Sequence, residues 1–236
     1  SVSQPRLVAT NPVNFTPNVD NGRVQAIAKV GSTIVLGGTF TSVTKGTTTY
    51  ARDGLVAFDA KSGVVSTTFV PSLDGEVETL AAAGDGTSVY VAGAFNTVNG
   101  TTHRKVVRLN VANGAVVGNF APGVVNGKVN DLKVAGSTVY IGGKFTKVAG
   151  QDRSRMASLS AGTGALTNQL NVTFAGVNHG GGTFVSKFDV SPDGSRLVAI
   201  GNFTSVNGQT RRQIAVLDTS GPAATLTSWA TDRYPD

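Results

Sequence analysis

The chain has 236 residues, enough for one large domain that buries about 70% of the surface its unfolded form exposes. Charged residues make up only 14% of it, against about 25% in an average globular protein, while 30 glycines and few aromatic residues suit short strands joined by tight turns. The absence of cysteine excludes disulfides, thiolate metal sites and a cysteine nucleophile. The net charge of +6 comes from basic residues scattered as singles and pairs rather than gathered in one stripe, a pattern unlike that of nucleic-acid binders. The apolar stretches are strand-sized and none is long enough to span a membrane.

The first readable element is Phe15-Thr16-Pro17, at about residues 13–19, which matches the later pieces Phe69-Val70-Pro71 and Phe120-Ala121-Pro122. A four-part unit then begins. An apolar strand (Val24 to Val30) turns at Gly31-Ser32 into a second strand, Ile34-Val35-Leu36-Gly37-Gly38-Thr39-Phe40-Thr41. A third strand, Leu55 to Asp59, and a Lys61-Ser62-Gly63 turn lead to a fourth, marked by Phe69. The same order returns three times. First strands recur at Val77 to Ala83, Val129 to Val134 and Val185 to Val190, and the Gly-x-Phe signature recurs at Phe95, Phe145 and Phe203. Third strands recur at Val106 to Asn110, Met156 to Ser160 and Ile214 to Asp218, and fourth-strand markers at Phe120, Leu170 and Trp229. Turn residues such as Pro192-Asp193-Gly194 tolerate the positive φ that hairpins require.

Four antiparallel strands repeated at intervals of about fifty residues are the signature of propeller blades. The expected fold is therefore all-β: a single β-propeller domain or fragment over 1–236, with four complete four-stranded blades at about 22–73, 75–124, 127–174 and 183–231 that form part of a larger ring. The Phe15 segment is left over as an orphan fourth strand, because Trp229 already supplies that strand in the last blade. A remaining propeller segment or a second copy is expected to complete the ring.

The pattern Gly-Ser-Thr-Val-Tyr-x-Gly-Gly-x-Phe-Thr-x-Val-x-Gly, followed by Arg and a Phe-x-Pro strand, is fullest in the third copy, Lys128 to Leu170. It resembles a β-propeller repeat family of unassigned function found in secreted bacterial proteins, with delta-sixty-type repeats and a Gly-Gly-x-Phe-Thr signature. The resemblance runs from residue 15 to about 230 and departs at the insertions Lys45 to Tyr50 and Ala175 to Gly182. It implies a secreted adhesion or recognition scaffold and carries over no catalytic residue. The opening Ser1-Val2-Ser3 suits a mature N-terminus after signal removal, as it would suit any other boundary.

Functional residues concentrate on variable loops held by a rigid scaffold. In a four-stranded blade the loop between strands two and three shares a face with the link to the next blade. That face carries Arg52, His103 with Arg104, Arg153 with Arg155, and Arg211 with Arg212, and the link Asn178-His179-Gly180-Gly181-Gly182 adds His179. These are the candidate ligand-binding residues, for a glycan or another anionic polymer. Because the arginine recurs with the repeat, pairing with a neighbouring blade or capping of carbonyls is the competing structural role. The first strands place Thr79, Asp131 and Lys187 at matched positions beside the ring axis, where Asp131 and Lys187 are expected to form an ion pair, the alternative being that they reach a small ligand at the axis.

Two histidines lacking ligand spacing and no acidic loop of calcium type give no metal site, and no nucleotide or cofactor motif is present. The reading is a non-catalytic extracellular propeller that recognises a glycan, a cell-wall polymer or a protein. The alternative is a polysaccharide-active hydrolase or lyase, its carboxylates drawn from Asp74, Glu76 or Glu78 and its site completed by a segment absent here.

Overall fold

The computed structural model describes residues 15–178, 180–231 and 233, and contains no helix among them. Each repeat folds as an antiparallel sheet whose strands follow one another in chain order. The first blade is built from Val24–Val30, Thr33–Gly38 and Leu55–Asp59, and the second from Val77–Ala82, Ser88–Gly93 and Val106–Asn110. The third adds Leu166–Thr167 to Val129–Ala135, Thr138–Gly143 and Met156–Ser160. The fourth adds Thr225–Leu226 to Phe184–Val190, Arg196–Asn202 and Ile214–Asp218.

The fourth strand is shorter than the sequence suggests. It is a two-residue strand in the third and fourth blades and a single bridge, Phe58 to Val65 and Leu109 to Val116, in the first two. Four complete four-stranded blades are therefore not what folds. The markers Phe69, Phe120, Leu170 and Trp229 lie beyond those pairs, outside any strand. Phe69, Phe120 and Leu170 fill space between sheets, a demand that alternation along a strand does not reveal, whereas Trp229 is exposed.

Strand two explains why the repeat reads as an unbroken apolar run. In the second blade it sits mid-sheet with a blade on either side, so both of its faces are covered and every residue of Ser88–Gly93 is buried. Blades stack by packing one sheet's trailing face on the next sheet's leading face. Val35, Leu55, Ala57 and Phe69 of the first blade share a core with Val77, Leu80, Val91 and Phe95 of the second. Tyr90, Ala92, Val106 and Phe120 pack in the same way on Leu132, Ile141 and Phe145. Tyr140, Met156 and Leu170 then pack on Phe188, Ala199 and Phe203.

The signature glycines follow from this stacking. A β-carbon on Gly142 would come within 3.0 Å of the Phe188 ring, so the third blade must be bare there for the fourth to seat. Gly38, Gly93, Gly143 and Gly201 lie against the carbonyls of Arg23, Glu76, Lys128 and Phe184, where the chain enters strand one. A β-bulge follows at once in all four first strands, between Val24 and Ala26, Val77 and Thr79, Val129 and Asp131, and Val185 and Lys187. Such a bulge turns the next side chain toward a new direction.

The loop between strands two and three is itself a hairpin, and the link from the preceding repeat pairs with it. Asn18–Val19 pairs with Ser42–Lys45, Leu73 bridges Val98, Val125 bridges Val148, and Phe174–Ala175 pairs with Ser205–Val206. The Phe15 segment thus enters the link ahead of the first blade rather than serving as a fourth strand. Its backbone lies against Gly63 as Ala121 lies against Gly164.

All four signature phenylalanines, Phe40, Phe95, Phe145 and Phe203, are fully buried. Truncating Phe145 to alanine is expected to cost about 3–5 kcal/mol, through lost transfer energy and the cavity left behind. Denaturant unfolding of the variant checks this.

Candidate functional site

The arginine that recurs in the loop between strands two and three folds inward. Arg52 donates through Nη1 to the Ala51 carbonyl (2.6 Å) and through Nη2 to the Ser66 carbonyl (2.7 Å). Arg153 bonds the Asp152 carbonyl at 2.8 Å and the Asn168 side-chain oxygen at 2.9 Å. Arg211 bonds the carbonyls of Thr210 and Thr227, each at 2.7 Å. All three are buried, and burial lowers the pKa of Arg52 and Arg153. The guanidinium fork spans two carbonyls, one on the hairpin and one at the end of the blade, in place of backbone pairs that the short fourth strand does not make.

The remaining candidates divide. Arg155 turns back on its own blade, Nη1 donating to the Lys144 carbonyl at 2.7 Å. It occupies the left-handed region at φ 72°, where the first blade has Gly54 and the second has Lys105, whose Nζ bonds the Ala94 carbonyl at 2.7 Å. Lys105 belongs with the structural group although its flanking basic residues mask the match in sequence. His103, at the register of the three buried arginines, is half-buried, and its backbone N–H donates to the Asn96 carbonyl. Arg104 is exposed and Arg212 half-buried. His179 lies outside the described residues; beside it, Asn202 holds the loop by donating to the carbonyls of Gly180 and Gly182.

Thr79, Asp131 and Lys187 come together. Thr79 Oγ1 donates to Asp131 Oδ1 (3.2 Å), the Leu132 N–H donates to the same oxygen (3.0 Å), and the Phe188 N–H donates to Oδ2 (3.1 Å). Lys187 Nζ stands 3.8 Å from Asp131 Oδ1, and Lys133 Nζ 3.9 Å from Oδ2. One buried carboxylate therefore ties together the first strands of the second, third and fourth blades. Its charge is tolerable because N–H groups, a hydroxyl and two ammonium groups surround it.

The carboxylates that could have served hydrolysis are also engaged. Asp74 accepts the N–H groups of Asn96 (2.7 Å) and Thr97 (2.8 Å), which lower its pKa. Glu76 and Glu78 both pair with Lys128. Burial pushes Glu78 up, but Lys128 and Gln25 outweigh it and hold the group below its ordinary value. A general acid needs the opposite shift. Among the described residues, no group of three or more His, Asp or Glu is placed to hold a metal.

What the loop end does expose is a polar row on the four hairpins: Thr48 and Thr49, Thr101 and Thr102, Gln151 and Asp152, Gln209 and Thr210. Sequence reading passed over this row in favour of the charged residues beside it. A hairpin pairing of period two would have pointed to it.

The successive antiparallel sheets and the cores shared between neighbours define an all-β chain with a propeller-type repeat. A family model described as a domain of unknown function (DUF5122) forming a β-propeller matches residues 85–120, the turn, second strand, hairpin and third strand of the second blade. Among solved structures the chain is similar to the computationally designed Ika4 protein, at 15% identity, with a TM-score of 0.51 over 83% of this chain and 98% of that one. At that identity the likeness concerns the fold alone. No curated protein matches the sequence.

On the hairpin-turn side, burial pushes Asp85 up, but the N–H groups of Thr87 and Ser88, the Ser88 hydroxyl and Arg108 outweigh it and hold it well below the usual carboxylate range. Asp193, bonded by the Ser191 and Ser195 hydroxyls and the Ser195 N–H, is lowered to about 2. A carboxylate whose pKa falls on folding stabilises the protein above its unfolded pKa of about 4 and loses that contribution as pH drops toward the folded value. The melting temperature is therefore expected to fall between about pH 4 and pH 2. Asp85→Asn should be less stable at neutral pH and show a shallower acid decline, as followed by circular dichroism.

Proposed function

We propose that this chain is a non-catalytic binding or scaffold propeller that works outside the cell and recognises a polar polymer, a glycan before a protein, on its loop face. The observation that carries this reading is the row of exposed threonine and glutamine side chains on four rigid hairpins, with Arg104 beside the second. Hydroxyl and amide groups both donate and accept, which suits sugar hydroxyls, and a platform held by strand pairing binds without the entropy cost of ordering a loop. Engagement of Asp74, Glu76 and Glu78 in structural bonds favours binding over hydrolysis.

Arg52, Arg153 and Arg211 act in this account by holding the hairpins, while Arg104 meets an anionic group directly. A glycan array and a pull-down on insoluble cell-wall polysaccharide should both show binding. The combined variant Thr101→Ala, Thr102→Ala, Arg104→Ala should weaken it by at least about tenfold, with a salt dependence that the single Thr variants lack. Absence of binding on both surfaces, or release of soluble oligosaccharide during incubation, would contradict the proposal.

A further inference from the structure

The two outermost sheet faces are uncovered at positions where every internal face is covered. Ile27, Leu80, Leu132 and Phe188 occupy one register position, each paired across strand one with the matching residue of strand two. Leu80, Leu132 and Phe188 are 8%, 1% and 4% exposed against the preceding blade, whereas Ile27 is 65% exposed. At the other end Trp229 is 45% exposed, while Phe69, Phe120 and Leu170 are 0%, 1% and 0% exposed. Val198 and Ile200 of the fourth blade and Val24 of the first are exposed as well. The first and fourth blades therefore do not cover each other within this chain.

The geometry points to a second copy of this chain as the occupant: the trailing face of the fourth blade of one copy seats on the leading face of the first blade of another, and the reverse contact closes the pair. The two faces already have the chemistry of a trailing and a leading face, since each is one member of the interface repeated between blades. The trailing face departs from the internal ones at Ile200, which stands where they have Gly37, Ala92 and Gly142, while Val198 matches Val35 and is smaller than Tyr90 and Tyr140.

Charge supplies the partner's identity. Lys29 is exposed at the leading-face position of Ala82, Val134 and Val190, and Asp189 is exposed at the trailing-face position of Ala28, Ala81 and Lys133, of which Lys133 turns to Asp131 of its own strand. Ala28 and Ala82 share one core, and Ala81 and Val134 share the next, so docking the faces sets Asp189 of one copy beside Lys29 of the other. Opposite charges appear at the one interface that must be found by diffusion, where they steer the encounter and fix its register. Head-to-tail contacts make either filaments or closed rings; two copies of four blades would give eight, within the range of about four to eight typical of propellers.

Native mass spectrometry and light scattering of the 236-residue chain should show a dimer, twice 24.1 kDa. Lys29→Asp and Asp189→Lys should each weaken it by at least about tenfold, and the double variant should restore it. Both positions are exposed, and unchanged circular dichroism spectra verify the fold. A wild-type monomer, a polymer, or a dimer indifferent to all three variants would overturn the proposal, as would a double variant that stays monomeric.

Discussion

The structure depends on one contact made in turn by successive sheets: a small residue on strand two of one blade receives a large residue from strand one of the next. Gly37 meets Val77 and Leu80, and Gly142 meets Val185 and Phe188. Sheets close together in this way can share a dry core, and the tyrosines and phenylalanines fill the space around the contact. Tyr90 meets Phe120 edge-on with ring centroids 5.0 Å apart, and its hydroxyl reaches the Ala161 carbonyl across the blade boundary at 2.5 Å. Because each core lies between neighbours, stability is a sum over adjacent blades, and the outward faces bear whatever is left uncovered.

That arrangement also decides where charge can go. A sheet edge covered only by a two-residue strand or a single bridge leaves carbonyls in need of donors, and the recurrent arginine supplies them from the hairpin side. The same holds at the centre, where the bulge in strand one turns Asp131 toward the backbone of its neighbours rather than into a free channel. Lys128 draws Glu76 and Glu78 together at the entry to the third blade. Most of the buried charge is thus architectural, and the hairpins expose mainly hydroxyl and amide groups, together with Arg104 and Asp152.

Much of this was legible in the sequence. The Gly-x-Phe recurrence located each second strand, and the match of Phe15 with Phe69 and Phe120 grouped segments that are equivalent, though they are links rather than the expected fourth strands. What the alignment did not carry was their conformation: Phe69 and Phe120 read as strand residues because they are large and apolar, yet they lie outside the strands and pack between sheets, which leaves no periodicity. The arginines were legible as a column but not as a site, since sequence does not show whether a guanidinium faces water or a carbonyl. Exposure of Ile27 could not be read either. It looks like Leu80 and Leu132 and differs from them in that no described residue of the chain covers it.

The stacking contact is tested most directly by placing a side chain into it. Gly142→Val would drive a branched side chain against the Phe188 ring, whereas Gly118→Val enters open space at a position of ordinary backbone conformation. Equilibrium unfolding of the two variants should show a loss of about 1–3 kcal/mol or more for Gly142→Val and almost none for Gly118→Val. Equal stability of the two would contradict the account, because the blades would then not depend on that close approach.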